Sequence, residues 1–117
     1  MTRGQECITV AQKFGDFIAR EDYQSAHGLL TAEAQADYSA ESLKKSVARM
    51  TSYAPGPIRD VTVMDELILD DWPDKEASDV CSIYVALTGD GFNEAAYLTL
   101  AREGVDYRIR EIEWGRP

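Results

Sequence analysis

Apolar side chains between Gln5 and Arg20 recur at three- and four-residue steps: Cys7, Val10, Ala11, Phe14, Phe17 and Ile18. Gln12, Lys13, Asp16 and Arg20 fall on the other side, so the stretch predicts an amphipathic helix whose aromatic face needs a large apolar surface. Asp22 follows where a carboxylate can accept from the orphan amides of a short second helix, with Tyr23, Ala26, His27 and Leu30 on one face and Gly28 weakening it. Thr31 and Glu33 start a further turn through Tyr38. Ser39 caps a helix from Ala40 to Met50 that carries the stripe Leu43, Val47, Met50.

The period changes after Tyr53-Ala54-Pro55-Gly56-Pro57, a break in which proline removes donors and glycine permits a turn. Ile58 to Asp70, Asp79 to Thr88, Phe92 to Arg102 and Val105 to Trp114 are rich in β-branched and aromatic residues and read as four strands. Gly89-Asp90-Gly91 and Glu103-Gly104 are far too short for the crossover that parallel strands need, so the order is antiparallel. Asp71 to Ser78 is a polar loop. No internal repeat or linker divides the chain, which reads as one domain over residues 1–117. Helices first and an antiparallel sheet afterwards make the fold α+β, with the helices on one sheet face.

Composition narrows the function. At 117 residues, 44% hydrophobic and 28% charged, the chain can bury a core and has no long apolar run for a membrane. A net charge of -9 opposes a phosphate backbone, which argues against nucleic acid, and leaves an acidic surface able to meet a protein partner. The start Met-Thr-Arg-Gly-Gln-Glu shows no secretory pattern, so the expected location is cytoplasmic. Cys7 and Cys81, with no second cysteine or histidine nearby, read as reduced buried thiols, ahead of a bond between them.

The run FGDFIAREDYQSAHGLLTAEAQ, with its long first helix, its short helix opening at Asp22-Tyr23 and the sheet that follows, resembles the nuclear-transport-factor-two-like superfamily. That superfamily includes ketosteroid isomerases and polyketide cyclases. The resemblance covers essentially the whole chain and implies a strongly bent sheet curled into a cone around the first helix, with an apolar cavity and pairing of two copies through the sheet face. Its implied walls are Phe14, Phe17, Ile18, Tyr23, Met50, Tyr53, Tyr84, Tyr97 and Trp114; the plain alternative is that these are ordinary core. The sequence departs from the isomerases: phenylalanines stand on the first helix in place of a donor tyrosine, and a helical segment follows the short helix where an aspartate-bearing strand often comes.

Chemistry is sparse. Asp65 and Glu66, adjacent on a predicted strand, point to opposite faces, so one can face a cavity and act as a general base. His27 is the single histidine; Ser25 lies on another helical face, so no nucleophile and base are paired. Asp70, Asp71, Asp74, Glu76 and Asp79 lack the spacing of a calcium loop, and no phosphate loop occurs, so neither metal nor cofactor is expected. Arg108 and Arg110 pair across strands or hold an anion. The expectation is a non-enzymatic protein that holds a small apolar ligand or meets a protein partner. The alternative is a cofactor-independent isomerase, cyclase or dehydratase using Asp65, Glu66 or His27.

Overall fold

The computed structural model describes residues 2–54 and 56–115. Pro55, one member of the expected break, lies outside the described residues. Four helices come first: α1 (Arg3–Ala19), α2 (Tyr23–His27), α3 (Ala32–Asp37) and α4 (Ala40–Met50). Four strands follow: β1 (Ile58–Val63), β2 (Asp79–Gly89), β3 (Phe92–Glu103) and β4 (Asp106–Gly115). The fold is α+β, with the helices packed on an antiparallel open sheet whose strand order equals chain order.

Each helix begins on a side chain that can accept. Thr2 and Gln5 form a reciprocal box in which each side-chain oxygen accepts the other's amide at 3.1 Å. The Asp22 carboxylate accepts the Ser25 amide at 3.1 Å, Thr31 the Ala34 amide at 3.1 Å and Ser39 the Ser42 amide at 3.0 Å. Hydrogen bonds from Ser25, side chain and backbone, hold the Asp22 carboxyl below the usual aspartate range.

Helix α1 lies across β1 and β2. Gly15 lets it approach: a Cβ there would sit 2.8 Å from Val85 Cγ1 and closer still to Val61 Cγ1. Alternation along the strands puts Cys81, Ile83, Val85 and Leu87 of β2 with Ala96, Leu98 and Leu100 of β3 on the helix-covered face, joined by Phe14, Ile18, Leu30 and Leu43. Ser82, Tyr84, Tyr97 and Thr99 take the other face. The β2–β3 link is Asp90-Gly91 and the β3–β4 link Gly104-Val105, with positive φ at Gly91 and Gly104 as such tight turns require. Residues 29–31 pair with β4, Thr31 donating to the Ile109 carbonyl at 2.9 Å and Ile109 to that of Leu29 at 3.0 Å, which covers part of the sheet edge.

Two expectations are corrected. The strand expected from Ile58 to Asp70 ends at Val63; Asp65–Leu67 forms a 3-10 turn, and pairing resumes only at Leu69, which exchanges bonds with Ser82 at 3.0 Å each way. Two adjacent carboxylates are best solvated together, and the turn leaves both exposed. The cysteines are not free: Cys7 and Cys81 form a disulfide. Their separation of 74 residues hides the pair in the sequence, but α1 crossing β2 brings the Cα atoms to 6.9 Å with both side chains in the core.

Candidate binding cleft

Helix α4 ends over the strands it helps to cover. Its stripe buries Leu43 and Val47, while Ser46, Arg49 and Met50 meet residues near the start of β3 and the end of β4. On those strands, cross-strand pairing of Ala96 with Trp114 places the indole on the inner face, 6.1 Å from the Phe14 ring centre. Glu94 belongs to the same face, since it follows the parity of Ala96 and Leu98. Its side chain is almost fully covered, at 5% residue exposure, on a face otherwise built from apolar residues. Tyr53, in the turn after α4, donates its hydroxyl to Glu94 Oε2 at 2.5 Å. A buried carboxylate without hydrogen bonds would cost several kcal/mol, so this bond is what the position demands.

Ser46, Arg49, Met50, Glu94, Trp114 and Gly115 line an open cleft of about 360 Å³. It brings together an indole, a thioether and a covered carboxylate, with the guanidinium of Arg49 on its exposed side. Such a set grips a flat or apolar body and orients a polar end.

The residues singled out in the sequence divide. Phe14 and Ile18 are sealed in the core, at 0% and 1% exposure, and Phe17 and Tyr23 pack partly against it. Burial, helped by the Glu21 charge, pushes the Tyr23 hydroxyl above the usual tyrosine range. Met50 and Trp114 line the cleft, and Tyr53 reaches its carboxylate from an exposed turn. Tyr84 and Tyr97 do not join them. They stack at 4.3 Å on the opposite face, and the Tyr97 hydroxyl donates to Ser82 Oγ at 2.6 Å. Period two explains this: both tyrosines lie one residue out of step with the core positions of their strands.

Asp65 and Glu66 lie in the exposed turn, outside the residues lining the cleft. His27 is occupied: Nε2 lies 2.8 Å from the Tyr38 carbonyl and 3.2 Å from that of Gln35, tying α2 to the C-terminal end of α3. Arg110 grips Asp79 with two donors at 2.6 and 2.8 Å, and this hydrogen bonding raises its pKa further. Arg108 donates to the Gly28 carbonyl at 2.8 Å and faces Glu103 and Asp106. Both arginines are therefore used within the fold. Among the described residues no group of three or more acidic, histidine or cysteine side chains could hold a metal ion, and no helix is long and apolar enough to cross a membrane.

Glu94 was missed in the sequence, along with Arg49 and Ser46. Its signal was present: in Phe-Asn-Glu-Ala-Ala-Tyr-Leu, a period of two sets Glu94 on the face of Phe92, Ala96 and Leu98. Comparison with protein-family models, curated proteins and solved structures finds no match for this chain.

Proposed function

We propose that this chain is a non-enzymatic binding protein of the nuclear-transport-factor-two-like kind, taking a small, largely apolar molecule in the cleft between α4 and the ends of β3 and β4. The observation that carries the reading is Glu94: a covered carboxylate on an apolar face, bonded to Tyr53 and opening beside Trp114 and Met50. A ligand with an apolar body and a hydrogen-bonding end matches that surface. For an isomerase, cyclase or dehydratase, Asp65 and Glu66 in an exposed turn and His27 bonded to two carbonyls are not favoured, and the carboxylate within the cleft is Glu94.

The test is titration with the fluorescent probe anilinonaphthalene sulfonate, with near-ultraviolet circular dichroism to verify packing. Saturable binding of one probe per chain is expected, weakened about tenfold or more by Met50→Glu, which sets a second carboxylate in the cleft. Absence of saturable binding, or unchanged binding in a packed Met50→Glu variant, overturns the reading.

A second reading is pairing of two copies through the helix-free sheet face, favoured by the Tyr84–Tyr97 stack displayed there. Sedimentation equilibrium should then give a dimer that Tyr97→Glu splits into monomers. A wild-type monomer at all accessible concentrations rules it out.

A further inference from the structure

Helix α1 is held in two unequal parts. From Ala11 onwards, Ala11, Phe14, Gly15 and Ile18 are all buried, whereas between Arg3 and Val10 the only fully buried residue is Cys7. Ile8 and Val10 pack only partly against the core. The first two turns are therefore docked chiefly through Cys7, and Cys7 is bonded to Cys81 of β2. These same turns, with Lys13 beyond them, form one wall of a second groove, of about 480 Å³, in which Glu6, Thr9 and Val10 face Leu29 and the β3–β4 hairpin. On that hairpin Val105 is 90% exposed.

We propose that the Cys7–Cys81 disulfide is a redox-controlled pin for the first two turns of α1, whose reduction by a dithiol loosens one wall of this groove while the rest of the fold stays closed. The exchange is balanced within itself. A thiolate of the dithiol attacks one cysteine sulfur, the second dithiol sulfur closes on the first, and the S–S bond gives way to two protein thiols as the reductant becomes a cyclic disulfide. Two electrons and two protons pass to the protein. With both cysteines buried, the dithiol reaches the bond only through transient local opening around it, so reduction is slow while the fold stays closed. The remainder of α1 keeps Phe14 and Ile18 in the core whatever the state of the sulfurs.

Residue-resolved hydrogen exchange tests this on the oxidised protein, on the same protein in dithiothreitol, and on a Cys7→Ala/Cys81→Ala variant. Amides from Glu6 to Val10 should exchange about tenfold faster or more in both forms lacking the bond, while those of Phe14–Ala19 and of β2 to β4 change by less than about twofold. The proposal is overturned by uniform acceleration, by none, by unfolding of the reduced protein, or by an intact mass showing two free thiols after aerobic purification. Should the double variant fail to fold, the dithiothreitol sample decides alone, because its sequence is unchanged.

Discussion

The two faces of the β2–β3 pair are made from the same strands by opposite means. On the helix-covered face, Ile83, Val85 and Leu87 meet Leu98 and Leu100, and Phe14 and Ile18 of α1 close over them. On the other face, small and hydroxyl-bearing residues surround a tyrosine stack, and near the β2 start the Asp79 side chain, fully buried, is held by Arg110. The covered face owes its stability to many interchangeable contacts, each adding a little. The other depends on a few specific partners, and removing one leaves its counterpart stranded.

The largest effect should come from breaking that asymmetry at its weakest point. Arg110→Met leaves the Asp79 carboxylate buried without its cation and should cost about 3–5 kcal/mol, read by urea denaturation. The double change Arg110→Met/Asp79→Leu should recover most of the loss, because it removes the stranded charge as well. If the single change costs no more than an ordinary surface substitution, the ion pair is not what holds this face.

On the covered face, Gly15→Ala should cost about 1–3 kcal/mol through overpacking, since the new Cβ meets Val61 and Val85. Shortening Val61 to alanine in the same chain should relieve part of the clash. Equal costs with and without that relief would show that Gly15 is needed for some reason other than space.

The smallest effect is one of pH. Burial raises the Tyr23 hydroxyl pKa, so the folded chain holds that proton more tightly than the unfolded one. The resulting stability is fully present below the unfolded value near about 10 and is lost as pH rises through the folded value. Tyr23→Phe should therefore give a shallower fall in denaturation midpoint above that pH. An identical alkaline slope in both proteins would show that Tyr23 is not the group responsible.

The helices were the legible part of this molecule. Asp22, Thr31 and Ser39 each stand at the start of a helix and cap it, because a cap is a local event written within four residues. The strand at Ile58 was legible only to Val63, because nothing local distinguishes a continuing strand from a turn that puts two carboxylates in water. The disulfide was hidden for a different reason: it depends on how α1 crosses the sheet, which is tertiary information. Glu94 was readable by parity, yet a glutamate in a strand is normally assigned to the solvent face.

Strand order equal to chain order has a further consequence, in time. Because all four α-helices precede the strands, the face of α1 that carries Phe14 and Ile18 is synthesised some 65 residues before Ile83 of β2, part of its eventual cover. At about 5–20 residues per second, that amphipathic segment spends several seconds without the surface it is shaped to meet. The sheet, by contrast, can zip hairpin by hairpin as it emerges. The order of the genetic message thus makes the N-terminal helix the part of a nascent chain most in need of shelter.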